Sequence, residues 1–367
     1  MRVAVLGCGH GAHAVAGILS LKGSKVTIVG AAPIDADKVD AIRRRGGIEL
    51  EGAVKGFGEV EEATLSIEAG VKGREYVLVV TPAHAHEYFL PKLASALERV
   101  QRVVIIPDNW GSLRLLKVLK DLGKEPPALI GGTASLPYAC RLSGPAKVNV
   151  LGIKDPGTIP LATIPSVRTR ELINELKGFF YEFSEARNIL EVVLNNINFP
   201  IHPVVTLLNL GRVEYTKGDF DFYGEGITPS VAKIMEAVDA ERRALGRTLG
   251  LELPSLYELV SSMYRSSGLR GKNLHELLST SPIHTKTKGP DSLHHRYVVE
   301  DVPYGLVPIA SLCEYLGVPC PTINAIVHLY SVALGRDLMT EGVNVEKLGW
   351  MRAGREEIIK AISLTFN

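Results

Sequence analysis

Apolar residues in the first half of the chain fall into short runs separated by longer stretches with helical spacing. The runs are Arg2–Leu6, Lys25–Val29, Tyr76–Val80, Arg102–Ile106, Ala128–Gly131 and Lys147–Gly152, all rich in Val, Ile or Leu. Unbroken apolar runs of this length suit strands buried on both faces. Between them lie helical patterns such as Ala14–Leu21. The alternation predicts an α/β fold, a doubly wound and mostly parallel sheet with helices on both faces. The pattern changes at Lys154–Pro165, KDPGTIPLATIP, where prolines punctuate the chain and predict a domain boundary. Beyond it the spacing is helical. Arg170–Phe183 is amphipathic. Thr228-Pro229 reads as an N-cap and a first-turn proline ahead of Val231, Ile234, Met235, Val238, Leu245 and Leu249. Thr322 opens a further helix through Ile323, Ile326, Val327, Tyr330 and Leu334, with Gly335 as its C-cap. The expected organisation is a parallel-sheet domain over residues 1–165 and an all-helical domain over 166–367.

The first strand runs into Gly7-Cys8-Gly9-His10-Gly11-Ala12 and then a helix, a G-x-G-x-x-A fingerprint in strand–turn–helix context. Gly7 permits the tight turn, Gly9 lets the backbone approach a pyrophosphate, and Ala12 lets helix pack on strand. His10 and Gly11 sit at the helix N-terminus, whose amides and dipole favour phosphate. The expected cofactor is NAD or NADP. Val29-Gly30-Ala31-Ala32-Pro33, at the end of the second strand, lacks the acid that would hold the ribose hydroxyls. Asp35 and Asp37 come late, and Arg43-Arg44-Arg45 reads as a solvated helix face. After another strand comes Val80-Thr81-Pro82-Ala83-His84-Ala85-His86. Thr81 and Pro82 suit a backbone passing close to a ribose. His84 and His86, with no third ligand nearby, read as surface-loop histidines rather than a metal site.

Charge and cysteine content narrow the class. Lys and Arg total 41 against 40 Asp and Glu, net +1, which argues against nucleic acid or a membrane surface as partner. No apolar run reaches the roughly 18 residues of a membrane span, and the N-terminus lacks a cleavable signal pattern. Cys8, Cys140, Cys313 and Cys320 are scattered, without a CxxC pair. That fits a reducing compartment, expected to be the cytoplasm, and no bound metal. The 367 residues suit two domains. Helices of the second half could carry a homodimer interface.

Two polar segments stand out in the helical half. Asn195, Asn196, Asn198 and His202 lie in a stretch broken by Pro200 and Pro203, ahead of an apolar helix at Val204–Leu210. They either line a polar cleft or form a solvated capping loop. In His294–Pro303, Arg296 and Asp301 are five apart. They would share no face of a strand or straight helix, so a turn must bring them together. Asp301, shortly before Pro303, also fits a helix N-cap, and Arg296 also fits a surface ion pair. A carbonyl or imine reductase needs a hydride donor, a proton donor and an anchor for the substrate's carboxylate. His202 can donate the proton, Asp301 can orient its imidazole, and Arg296 offers a bidentate fork.

Six segments resemble the octopine/nopaline dehydrogenase family, the opine dehydrogenases. They are Gly7–His13 (GCGHGAH), Val80–His86 (VTPAHAH), Ser135–Arg141 (SLPYACR), Asn196–Pro203 (NINFPIHP), Tyr223–Ser230 (YGEGITPS) and His295–Pro308 (HRYVVEDVPYGLVP). The resemblance implies a Rossmann-type sheet domain followed by a helical domain like that of 6-phosphogluconate dehydrogenases. It implies NAD(P)H-dependent reductive condensation of an α-keto acid, such as pyruvate, with an amino acid to an N-(carboxyalkyl)amino acid, and the reverse oxidation. The family's His–Asp pair falls on His202 and Asp301, and its substrate-carboxylate arginine on Arg296. Asn198 and Thr133 are further substrate-binding candidates, although Gly132 precedes Thr133 where members often carry Glu. Two rival readings remain. One is a related oxidoreductase that reduces a free keto acid. The other is a nicotinamide-binding sensor without catalysis.

Overall fold

In the computed structural model, which describes residues 1–284, 287–351 and 353–363, the chain forms two compact units, one of Met1–Val193 together with the described residues from Lys360, the other of Leu194–Ile359. Among the described residues, the first unit holds every strand. They are β1 (Arg2–Leu6), β2 (Lys25–Val29), β3 (Gly47–Gly52), β4 (Gly56–Glu59), β5 (Glu62–Thr64), β6 (Tyr76–Val79), β7 (Arg102–Ile105), β8 (Leu129–Thr133), β9 (Tyr138–Gly144), β10 (Lys147–Ile153), β11 (Pro160–Ile164) and β12 (Ser184–Glu185). The helices between them are α1 (His10–Leu21), α2 (Ala36–Arg45), α3 (Ile67–Val71), α4 (His86–Ala96), α5 (Gly111–Asp121) and α6 (Thr169–Phe179), with α7 (Ile189–Leu194) at the division.

The large sheet runs β12-β11-β8-β7-β6-β1-β2-β5. Its strands from β5 through β8 are parallel, and β11 is antiparallel to β8. The doubly wound expectation therefore holds. Its order reverses beside β1, so the loops after β1 and β6 open into the crevice where such sheets bind ligands. The apolar runs are fully buried strands: Val3–Leu6 and Val77–Val79 have no exposed surface.

Two expectations need correcting here. Lys147–Gly152 is a strand, but not of the parallel sheet. It forms β10 of a second sheet, β4-β3-β10-β9, where it runs antiparallel to β9. That sheet covers the outer side of α1. A Cβ on Gly58 of β4 would sit 2.4 Å from the Gly17 carbonyl oxygen, so backbone meets backbone. Covered on both sides, α1 buries every residue from Ala12 to Leu19, which a surface helix does not do. The boundary expected at residue 165 also moves. The prolines of Lys154–Pro165 bracket β11, which pairs with β8, and α6 and β12 follow in the same unit. Turn residues mark the ends of a strand as readily as a linker. Accordingly α6 stops at Phe179 rather than Phe183, because the chain must turn into β12.

The second unit is helical: α8 (Asn198–Leu208), α9 (Leu210–Thr216), α10 (Pro229–Thr248), α11 (Leu256–Met263), α12 (Leu274–Ser279), α13 (Arg296–Val299), a π-helical segment (Val302–Leu306), α14 (Val307–Leu316), α15 (Pro321–Leu334), α16 (Leu338–Glu341) and the first half of α17 (Arg355–Ser363), which belongs to this unit as far as Ile359. Thr228 caps α10 as expected, its hydroxyl accepting from the Val231 amide. Gly335 closes α15 in the left-handed region. The opening of α15 differs slightly. It starts at Pro321, and the Glu241 carboxylate of α10 accepts from the Thr322 and Ile323 amides at 2.8 and 2.9 Å.

Candidate active site

The prolines at 200 and 203 do not break the chain; both lie inside α8. Pro200 is in the first turn, where a missing N–H leaves nothing unpaired, whereas Pro203 forgoes one backbone bond. His202 sits between them, 4 % exposed. Across from α8, α13 runs into the π-helical segment. The Asp301 amide donates to the Arg296 carbonyl at 3.4 Å, and Leu306 donates to Asp301 at 3.1 Å, both five residues back. This widened winding is the turn that the five-residue spacing of Arg296 and Asp301 required. It rotates two positions that a regular helix would separate towards one side. Gly305 makes the close approach possible: a Cβ there would lie 2.5 Å from the Phe199 Cβ on α8.

The result is a buried pair. His202 Nδ1 lies 2.8 Å from Asp301 Oδ2, both side chains no more than 5 % exposed. Asp301 is not the side-chain N-cap that its place before Pro303 also suggested; its carboxylate makes no capping bond. Burial pushes its pKa up to about 7, against the pull of the Arg296 guanidinium. The His202 ring stacks on Tyr297, centroids 3.9 Å apart and 19° from parallel. Its Nε2 faces the Tyr223 hydroxyl at 3.3 Å. Tyr223 and Tyr297 were not singled out from sequence, although both lie within the quoted motifs. An aromatic beside each motif's polar residues was the available signal.

Arg296 is exposed, its Nη1 3.4 Å from Glu300 Oε2. Asn198 is half-buried at the start of α8, one turn before His202 and on the same face by spacing. The other two asparagines form neither a cleft lining nor a solvated loop. Asn195 Oδ1 accepts from buried Arg242 at 3.0 Å, and Asn196 Oδ1 accepts from the Asn198 amide at 2.9 Å. They anchor the entry to α8.

In the first unit, Gly7 has φ +116°, and a Cβ there would lie 2.4 Å from the Val80 carbonyl oxygen. Gly9 is the opposite case: nothing lies within 4 Å of where its Cβ would be. No side chain caps the first turn of α1, Gly11 rests on Leu136, and Ala12 is buried. Uncapped amides behind an open glycine form a cradle that fits a pyrophosphate. His10 is exposed and its Nδ1 accepts from the Leu142 amide at 3.0 Å, tying the loop to β9. At the end of β6, the buried Thr81 hydroxyl has no hydrogen-bond partner among the described residues, and Pro82 is exposed. Thr133 ends β8, fully buried, its hydroxyl donating to the Ser135 carbonyl.

Two readings change in this unit. An acid does stand at the end of β2. The chain turns so that the Asp35 amide donates to Ala31 O, and its carboxylate accepts from the Ala31 amide at 3.0 Å and pairs with Lys38 at 2.7 Å. His86 is no surface histidine. It is fully buried at the start of α4, neither ring nitrogen has a hydrogen-bond partner among the described residues, and burial keeps it neutral by lowering its pKa well below the usual value. His84 is exposed as expected. Arg43 and Arg45 pair with Asp40 and Glu49 on the surface. Among the described residues, no cluster of three or more His, Cys, Asp or Glu could hold a metal, and no helix is long and apolar enough to cross a membrane.

A profile of the NAD/NADP octopine/nopaline dehydrogenase α-helical domain matches residues 185–334. The chain is 35% identical to an opine dehydrogenase of Arthrobacter sp. (strain 1C) over 348 residues, covering 94% of each. It is 23% identical to an octopine dehydrogenase of Mizuhopecten yessoensis, covering 93% of this chain and 92% of that one. Among solved structures, octopine dehydrogenase with NADH and L-arginine superposes with a TM-score of 0.79 at 18% identity, over the whole of both chains. Yersinopine dehydrogenase with NADP+ bound gives 0.72 at 16% identity, covering 98% of this chain and 97% of that one.

Proposed function

The chain belongs to the octopine/nopaline dehydrogenase family, the opine dehydrogenases, and from that premise we propose that it condenses an α-keto acid with the amino group of an amino acid, using NADH or NADPH as reductant. The observation that carries the reading is the buried His202–Asp301 pair with Nε2 turned away from the carboxylate, a proton-handling site within the matched helical domain.

The cradle of Gly7, Gly9, His10, Gly11 and Ala12 would hold the pyrophosphate, with Thr81 and Pro82 beside the adjoining ribose. When bound, the nicotinamide supplies hydride to the C=N carbon. The chain's own groups handle the proton and the carboxylate. His202 Nε2 takes a proton from the substrate ammonium, freeing the amine to attack the keto carbon. The same nitrogen then protonates the carbinolamine hydroxyl, which leaves as water. Asp301 holds the Nδ1 proton and stabilises the imidazolium between these events. Arg296 clamps the keto-acid carboxylate through its planar fork, steadied by Glu300. Asn198 and Thr133 make further substrate contacts. The sum consumes keto acid, ammonium, reduced nicotinamide and one proton, and yields secondary ammonium, oxidised nicotinamide and water. Reading the same steps backwards gives opine oxidation. We place the enzyme in the cytoplasm, where its four buried thiols stay reduced, acting on small molecules as a homodimer.

The test mixes purified protein with NADH or NADPH, a keto acid and pools of amino acids, and follows loss of reduced-nicotinamide absorbance. Oxidation that needs both keto acid and amine supports the reading and identifies the cofactor form. Oxidation with keto acid alone overturns it in favour of a hydroxy-acid oxidoreductase. Cofactor binding without turnover on any pool points to a sensor.

A further inference from the structure

Of the two nitrogens of His202, Nδ1 is committed to Asp301. Nε2, which must exchange protons with substrate, lies 3.3 Å from the Tyr223 hydroxyl. Tyr223 is only 6 % exposed, and burial raises its pKa well above the usual phenol value. It therefore stays neutral. Beside a neutral imidazole, a neutral phenol donates its O–H to the Nε2 lone pair; beside an imidazolium, its oxygen accepts. The resting pair is thus a base with its proton acceptor already hydrogen-bonded.

The hydroxyl is held in place. The Asp221 carboxylate accepts from the Tyr223 and Gly224 amides at 3.1 and 2.9 Å, fixing the backbone. One ring face stacks on His284 at 4.4 Å, 22° from parallel, and His284 Nδ1 is 2.8 Å from Ser281 Oγ. Phe222 packs edge-on to the ring at 5.2 Å. The titratable and charged groups facing it are His202, Asp301, Arg296, Tyr264, Tyr297 and His284. None of the steps assigned above uses this hydroxyl, yet any proton bound for Nε2 must displace it or pass through it.

We propose that Tyr223 is a catalytic residue, the proton relay between His202 and the reacting substrate. This rests on the opine reading. In amine activation the substrate ammonium gives a proton to Tyr223 Oη while the phenolic proton moves to His202 Nε2. In water loss the order reverses: Nε2–H protonates Oη, and the phenolic proton goes to the carbinolamine hydroxyl. The C–O bond then breaks, the nitrogen lone pair forms C=N, and water departs. Tyr223 ends each step as a neutral phenol. The 3.3 Å separation in the free protein shortens as substrate binds.

Tyr223→Phe removes the oxygen and keeps the ring that stacks on His284. The relay predicts a fall in kcat on the order of 100-fold. KM for the keto acid and nicotinamide affinity should stay within about twofold of wild type, as expected when only a transition-state interaction is lost. The ¹⁵N resonance of His202 Nε2 in the free protein should shift, reporting the lost O–H donor. An unchanged kcat, or a raised KM at intact kcat, overturns the relay and makes Tyr223 a pocket wall. If Tyr223→Phe does not fold, 3-fluorotyrosine at position 223 acidifies the phenol with little change of shape. The pH profile of kcat should then shift, and an unmoved profile overturns the relay. Amine-dependent turnover by the wild type separates the two ideas. Without it the opine reading fails and the relay falls with it; with it, only the variant's deficit bears on Tyr223.

Discussion

Asp301 and Asp108 show how burial makes a single carboxyl matter. In the proposed mechanism Asp301→Asn keeps the shape of the pair but removes the charge that would stabilise the imidazolium. We expect kcat to fall on the order of 10²- to 10⁴-fold with thermal stability nearly unchanged. Steady-state kinetics and a melting curve on one preparation decide it, since a collapse of stability would make Asp301 structural. Asp108, after β7, is fully buried, accepts from the Ser112 amide and hydroxyl, and is pushed up to about 7 from 3.8. The folded state therefore keeps a proton that the unfolded chain loses above about pH 4, and stability falls as pH rises from there to about 7. Asp108→Asn removes that fall. Relative to wild type it should gain roughly 3 kcal/mol more at pH 8 than at pH 5, at about 1.4 kcal/mol per pKa unit. Denaturant titrations at both values measure the gap, and a constant gap would show that Asp108 ionises freely. His86 and Asp35 carry a different lesson. Their residue types were plain in the sequence, but the burial of His86 depends on neighbours distant along the chain such as Gly111, and the turn that carries the Asp35 carboxylate back to the Ala31 amide is local loop geometry that periodicity does not encode.

Among the elements, the π-helical segment does most for the site. Gly305→Ala would drive a methyl into Phe199 and push the segment away from α8. We expect a loss of roughly 1–3 kcal/mol together with a fall in kcat, because the same shift lengthens the His202–Asp301 bond. Full activity in a destabilised variant would break that link. Thr228→Ala should cost about 1 kcal/mol through the lost N-cap of α10, without touching kcat. Helix ends were legible because capping is local: Thr228-Pro229 and Gly335 behave as their residue types dictate. The small sheet was not. β3 reads GIELEG and β4 reads GFGE, with too few apolar residues to form a run. Their partner is α1, which only folding brings near. The prolines of α8 misled for a related reason, since tertiary packing can offset one lost backbone bond.

For the whole chain, the dinucleotide cradle gives the broadest test. Gly9→Ala adds a methyl that meets no protein atom, so unliganded stability should change by less than about 0.5 kcal/mol. In the proposed cofactor site the methyl would stand where the pyrophosphate approaches, so nicotinamide affinity should fall tenfold or more, an order-of-magnitude expectation from lost close contact. At 100 times its Kd, the cofactor should stabilise the wild type by about 2.7 kcal/mol. The variant should lose most of that shift at the same concentration, and an equal shift in both would remove Gly9 from the cofactor site. Fold class and the G-x-G-x-x-A turn were readable along the chain, because periodicity and turn chemistry act over a few residues, whereas His202, Arg296 and Asp301 were reached as candidates through the family's motifs and keep their roles as proposals. Folding decided the rest. The division at Val193, the sheet over α1, the pairing of residues 202 and 301, and the Tyr223 hydroxyl on Nε2 all depend on close approach between segments far apart in sequence. Such approaches are set by packing, which no local pattern encodes.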